Sequence, residues 1–221
     1  MRNWRIRWSA TTTLLPGLIL CGLLLPRPAS AGADAGGVLL VHANSSLSYT
    51  TDVKDYAGRG ALKDGAQALT SVPLTSGHTS VFFVYAAFPP ESSPRLTGVT
   101  FGIRYDARKI GLVAHGKCGD TEIPGPKWPA PDTGTSVVWK TAQTSKLTEI
   151  YWFAGYAYAK ADTTSFALTA HPDTNLGGFF ADDAVPAQLD PITAYGRLGF
   201  GTAGVLPSPG KEKKGAETPA R

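Results

Sequence analysis

The sequence is poor in cysteine, in charge and in long apolar runs. It has two cysteines in 221 residues, Cys21 and Cys118, and charged residues make up 17% of the chain. A fold held by several internal disulfides is therefore excluded. No stretch of about ten residues repeats apolar side chains with the helical period, so a helical domain is not expected. What remains is a series of short β-branched and aromatic runs between turn residues, and this pattern predicts an all-β domain.

The first 31 residues have the order of an export signal. Arg2, Arg5 and Arg7 precede an apolar run at residues 14–25, and the small residues 29–31 follow. We predict cleavage after Ala31 and a protein that works outside the cytoplasm, in the periplasm or released. The apolar run is shorter than the roughly 20 residues of a membrane-spanning helix, so no transmembrane segment is expected after cleavage.

Charge and cysteine content both change once this segment is removed. The formal net charge of +4 is accounted for by the leader arginines, of which Arg27 is the fourth, so the remainder is neutral. A neutral chain without a basic stripe gives no reason to expect a nucleic-acid partner. Cys118 is then a lone thiol, which is either buried as a small apolar side chain or pairs between chains.

The strand pattern divides the chain into a signal peptide (1–31), one domain (32–206) and a disordered tail (207–221). In the domain, residues 99–106 alternate apolar and polar side chains, which predicts a strand with one buried and one solvated face. The run 81–85 is apolar throughout, as in a strand covered on both faces. With these, about nine strands predict a two-sheet β-sandwich: 38–42, 47–51, 81–88, 99–106, 110–114, 136–140, 149–158, 165–170 and 197–201.

The segment 116–134 is the longest stretch without strand character, and loops of this length are usually functional or disordered. Its four prolines and Trp128 favour an ordered excursion. We therefore predict a ligand-binding surface there, formed by Asp120, Glu122, Lys127 and Trp128. On the neighbouring aromatic strand, period-two alternation places Tyr151 and Phe153 on one face and Trp152 on the other, and most of these rings are expected in the core.

Two further groups of acidic residues are candidate sites. Asp182, Asp183 and Asp190, with Asp173 nearby, lie on one loop-rich segment, where carboxylates suit an extracellular calcium ion; ordinary turn chemistry is the alternative. No nucleophile elbow, zinc motif or phosphate loop is present. Paired glutamates, Glu122 and Glu149, leave open a glycan-active jelly-roll hydrolase.

The stretch 94–106, Pro-Arg-Leu-Thr-Gly-Val-Thr-Phe-Gly-Ile-Arg-Tyr-Asp, resembles a strand of cohesin-type β-sandwich modules, in which apolar alternation runs into a Tyr-Asp pair. The whole chain is also similar to small exported β-sandwich proteins of bacteria. This resemblance implies a nine-stranded cohesin-like sandwich and carries over no binding residues. We expect a non-enzymatic binding or adhesion module with an extracellular glycan or protein partner and no obligatory cofactor. A glycan hydrolase and a structural subunit of an extracellular assembly are the alternatives.

Overall fold

The structure, a computed structural model, describes residues 32–74, 78–158 and 163–210. The predicted signal segment and residues 211–221 of the predicted tail lie outside the described residues. The described part forms twelve strands and one 3-10 turn at Gly65–Gln67. The predicted all-β, two-sheet class is confirmed, with more strands than the nine expected. In this part of the chain no helix has the length and apolar character needed to cross a membrane.

The strands form two sheets. The first contains four strands in the antiparallel order β1-β3-β8-β5. The second contains eight, in which β4 pairs with β10, β9 and β7, and β6 pairs with the far side of β7. The strand bounds are β1 Val38–Ser48, β2 Ser71–Val72, β3 Ser80–Ala87, β4 Leu96–Arg104, β5 Ile110–Lys117, β6 Thr121–Pro124, β7 Thr133–Gln143, β8 Leu147–Ala157, β9 Thr164–Thr169, β10 Phe179–Ala181, β11 Leu189–Pro191 and β12 Arg197–Phe200.

The main core lies between the two sheets and is rich in phenylalanine. Phe82 of β3 lies 5.5 Å from Phe153 of β8 and 5.0 Å from Phe166 of β9, measured between ring centroids. Each aromatic side chain of this kind removes some 150 to 250 Å² from water. The sandwich is therefore held chiefly by apolar burial.

A second apolar cluster covers the outer face of the four-stranded sheet. Phe83, Tyr85 and Trp152 lie there under Tyr56, which belongs to the segment that follows β1. Every residue of β3 is buried in consequence, which confirms the prediction that this strand is covered on both faces. The predicted alternation along β8 is also confirmed, because Tyr151 and Phe153 face the main core and Trp152 faces the outer cluster.

Three local predictions were wrong. The strand expected at 47–51 ends at Ser48, because the chain leaves the sheet there to cover the outer cluster. The polar face of β4 is not solvated throughout: Thr100 is buried, and its hydroxyl lies 2.7 Å from that of Ser136 on β7. The segment 116–134 is not free of strands, since β6 lies within it and pairs with β7.

Candidate functional site

The segment 116–134 leaves the edge strand β5, forms β6, and returns into β7. Its polar side chains meet at the hydroxyl of Tyr151, which β8 directs toward the main core. The Tyr151 hydroxyl lies 2.8 Å from Glu122 Oε1, 2.8 Å from Trp128 Nε1 and 2.7 Å from His115 Nδ1. Two of the four predicted binding residues, Glu122 and Trp128, are thus brought together by a residue that the sequence analysis assigned only to the core.

The hydrogen-bonding capacities fix the roles in this network. An indole nitrogen only donates, so Trp128 donates to Tyr151, and Tyr151 donates its single proton to the Glu122 carboxylate. His115 must then carry its proton on Nδ1 and donate to the Tyr151 oxygen as well. Thr135 donates a further bond to the same Glu122 oxygen at 3.0 Å. The Tyr151 hydroxyl therefore joins three side chains from β5, β6 and the turn that follows β6.

Burial sets the protonation of this network. It raises the pKa of Tyr151, and the hydrogen bond to Glu122 acts in the same direction while the bond from Trp128 opposes it. Desolvation of the ring lowers the pKa of His115, against the attraction of Glu122. At neutral pH the pair is thus a neutral phenol and a neutral imidazole. The arrangement links the segment to β5 and β8 through uncharged donors.

Trp128 lies over the edge of the main core. Its ring makes edge-to-face contacts with Phe101, Tyr151 and Phe153, at centroid distances of 5.8, 5.5 and 5.9 Å. The side chain is half-buried, so the indole closes the core on one side and reaches solvent on the other. Its predicted role in ligand binding stays a prediction.

The two other predicted binding residues lie at the surface. Asp120 is exposed, and its carboxylate accepts the backbone N–H of Lys140 at 2.7 Å, which fixes the start of the segment against β7. Lys127 is exposed in a turn where its φ is +64°. Between them, Ile123 on β6 is 61% exposed. An apolar side chain is thus exposed on the segment, between these two charged residues in the sequence.

Glu149 lies on the other face of the four-stranded sheet from Glu122. Its carboxylate accepts the N–H groups of Gly58 and Gly60 at 2.7 and 3.0 Å and the Tyr85 hydroxyl at 3.1 Å. The Cys118 thiol donates to it at 3.2 Å. The structure does not bring Glu122 and Glu149 together, so it gives the pair no shared site for a sugar.

Cys118 is half-buried in the outer cluster. Burial raises the pKa of its thiol, and the adjacent Glu149 carboxylate raises it further. A thiol held in this form is a poor nucleophile. Of the two interpretations considered for Cys118, the geometry favours the buried side chain over a link between chains.

The acidic residues predicted to bind calcium have separate partners. Asp182 closes its own turn by accepting the N–H groups of Ala184 and Gln188 at 3.0 and 2.8 Å. Asp183 pairs with Arg95, and Asp190 accepts two backbone N–H groups near residue 32. In the described ranges no three acidic, histidine or cysteine side chains are placed to hold one metal ion. Calcium binding stays a prediction.

No family model and no curated protein matches the sequence. Solved structures of cohesin modules are among those that the chain matches. A cohesin module from a family 33 glycoside hydrolase of Clostridium perfringens is 8% identical, with 74% of this chain and 94% of that chain covered and a TM-score of 0.48. A non-cellulosomal cohesin from Archaeoglobus fulgidus is 5% identical, with coverages of 74% and 91% and a TM-score of 0.43.

A type I cohesin in a cohesin–dockerin complex from Clostridium thermocellum is 9% identical, with coverages of 74% and 99% and a TM-score of 0.43. Identities this low say nothing about a shared ligand. The candidate site is therefore described by the contacts seen in this chain alone.

Sequence reasoning missed the centre of the site, which is Tyr151. The signal for it was present: Tyr151 places a hydroxyl inside an otherwise apolar run, and a buried hydroxyl needs a partner. The partners of this hydroxyl depend on how β5 and β6 pair with their neighbours, and the sequence of a single strand does not show that pairing.

Proposed function

We propose that the domain is an exported, non-enzymatic binding module whose contact surface is the outer side of the segment 116–134. The observation that supports this most directly is the Tyr151 network, which fixes the segment from beneath while Ile123 and Lys127 stand in solvent. A surface that is already ordered loses little conformational freedom when it binds, and this improves affinity. Export rests on the predicted leader.

The chemistry of this surface fits a partner with an apolar group and at least one polar or charged group, since the segment exposes Asp120 as well as Lys127. Ile123 offers an exposed apolar side chain, and Lys127 a flexible cation a few residues away. The predicted role of Trp128 is compatible with its half-buried position, because one edge of the ring reaches solvent. A glycan that stacks on that edge and a polypeptide that covers Ile123 are the two ligand classes to compare.

The test uses the exported protein purified after processing by the host. It is screened against immobilised polysaccharides and glycans and against protein probes that include a dockerin module, with calcium and again with chelator. The same mixtures are assayed for released sugar. Binding without release supports the proposal, and loss of binding in chelator would bring back the calcium prediction. Release of sugar would refute a non-enzymatic role.

A matched pair of variants locates the surface. Ile123→Asp places a charge on the proposed contact, whereas Val185→Asp places the same charge on a residue that is 99% exposed in a remote turn. We expect Ile123→Asp to weaken binding at least about tenfold, since a buried unpaired charge at an interface is costly, and Val185→Asp to leave it unchanged. Equal binding by all three proteins would place the contact surface elsewhere.

A further inference from the structure

A group of buried carboxylates lies where the described chain begins. Asp34, Asp182 and Asp190 are all buried. The two oxygens of Asp190, on β11, accept the backbone N–H groups of Gly32 and Asp34, both at 3.0 Å. Asp34 accepts the N–H of Arg95 at 2.9 Å through Oδ1. Its other oxygen, Oδ2, is buried and has no partner among the described residues.

This group is short of positive charge. The cation that faces it is Arg95, but the guanidinium of Arg95 pairs with the more exposed carboxylate of Asp183. Burial raises the pKa of Asp34 to about 6, and the charges of Asp190, Asp182 and Asp183 act in the same direction against the Arg95 N–H bond. A buried carboxylate with an unsatisfied oxygen calls for a donor or a cation.

Gly32 lies directly against the Asp190 carboxylate. A Cβ atom added at position 32 would lie 2.1 Å from Asp190 Oδ2 and 2.6 Å from Oδ1. The close approach therefore requires glycine at this position. Gly32 is also the residue that follows the predicted cleavage site at Ala31. The first backbone nitrogen of the processed chain is thus the one that contacts Asp190.

We propose that cleavage between Ala31 and Gly32 creates an α-ammonium group that forms a partly buried ion pair with the buried carboxylate of Asp190 and completes the folded domain. In the cleavage, water adds a hydroxyl to the Ala31 carbonyl carbon and a proton to the Gly32 nitrogen as the peptide bond breaks. The new amine takes a second proton from solvent. One amide donor thereby becomes a cation with three donors, placed beside the oxygens of Asp190 and within the acidic group.

The ion pair joins two distant parts of the chain. Asp190 lies on β11, which pairs with β10, and β10 pairs with β4. An ammonium bound to Asp190 would fasten the residues that lead into β1 to the second sheet. Before cleavage the same nitrogen is a neutral amide, which leaves the charge of the acidic group uncompensated. The processed chain is therefore expected to be more stable than any form in which the ammonium is displaced.

The test expresses the full chain in an exporting host and compares two forms. One is the natural sequence; the other carries one extra glycine between Ala31 and Gly32, so that the ammonium moves away by one residue and Gly32 keeps its amide. Mass spectrometry of the purified proteins establishes where each chain begins. Equilibrium unfolding in urea at pH 7 then measures stability. We expect the insertion to lower the folding equilibrium constant at least about tenfold, because the pair is half-shielded and lies between an exposed ion pair, which contributes little, and a buried one, which contributes much more.

The pH dependence identifies the ammonium as the cause. Carboxylates around an amine raise its pKa above the usual value of about 8, so its stabilising effect is complete below about pH 8 and is lost as pH rises through the raised value. The titratable and charged groups that face it are Asp34, Asp182, Asp183, Asp190 and Arg95. The pKa of Asp34, about 6, lies below the range from pH 8 to pH 10 in which the ammonium is expected to lose its proton. The difference between the two forms should therefore shrink toward pH 10.

Two substitutions complete the design. In an Asp190→Asn background the insertion should have little further effect, whereas in an Asp183→Asn background its full effect should remain. A natural chain that begins elsewhere than Gly32 would overturn the proposal. So would equal stability of the two forms, a difference that does not change with pH, or calcium that stabilises the natural chain but not Asp190→Asn. None of these measurements depends on the proposed binding function.

Discussion

Glu149 gives the most direct test of how the outer cluster is held together. Its carboxylate accepts four hydrogen bonds, from Gly58, Gly60, Tyr85 and Cys118. Glu149→Ala removes all four acceptor contacts. The Gly58 N–H is exposed and can turn to water, but the Tyr85 and Gly60 donors are largely shielded. Each buried donor left without a partner costs about 1–3 kcal/mol, so we expect a loss of about 3 kcal/mol in the free energy of unfolding.

Glu149→Gln separates the loss of hydrogen bonds from the loss of side-chain volume. The amide keeps one oxygen, which can accept from Gly60 and Tyr85, and its NH₂ group can donate to the Cys118 sulfur. The Gly58 N–H loses its acceptor, but it is exposed and can bond to water. The expected loss is about 1 kcal/mol. Urea unfolding at pH 7 measures both variants, with Glu91→Ala as the exposed control that should stay within about 0.5 kcal/mol of the natural protein. A Glu149→Ala variant as stable as this control would refute the assignment.

Three further results are expected. Trp128→Ala should cost about 3 kcal/mol in unfolding free energy and Trp128→Phe about 1, since phenylalanine keeps most of the ring packing and loses the bond to Tyr151. A Trp128→Phe variant as stable as the natural protein would contradict that bond, and equal losses in the two variants would contradict the contribution of ring packing. Cys118 should resist alkylation in the native protein and react when the protein is unfolded. A protein that stays monomeric on non-reducing gels would support a thiol that does not pair between chains. Burial lowers the pKa of His42, so the neutral ring contributes its full stabilisation above about pH 6.5, and this contribution is lost on acidification. The free energy of unfolding should therefore change less between pH 7.5 and pH 5 in His42→Gln than in the natural protein.

The strands that could be predicted from the sequence are those whose own residues carry a clear apolar or alternating pattern. Residues 81–85 are apolar at every position, and this alone indicates a strand buried on both faces. The strands β10 and β11 were missed because each has three residues and owes its existence to pairing with β4 and with each other. β6 was missed because it contains Pro124, which an edge strand tolerates. Short strands of this kind are set by their neighbours, and no window of sequence shows them.

The burial of Thr100 depends on distant residues in the same way. Alternation along residues 99–106 predicts a polar face, and polar faces of antiparallel sheets are usually solvated. Here Thr100 finds a hydroxyl partner in Ser136, 36 positions further along the chain, which satisfies it without water. The pattern of one strand shows which side chains share a face, but it does not show what covers that face.

The separation of Glu122 from Glu149 has a specific cause in β8. In a regular strand Glu149 and Tyr151 would point to the same face, and Glu149 would then lie toward the core near Glu122. The pairing with β3 shifts between Val84 and Tyr85, so that Tyr85 pairs with Glu149 and Val84 with Tyr151. The extra residue, Ile150, faces the main core with Tyr151, and Glu149 is turned to the outer cluster. One bulge thus divides two carboxylates that period-two reasoning would join, and it leaves Glu122 to position the proposed binding segment and Glu149 to hold the outer face.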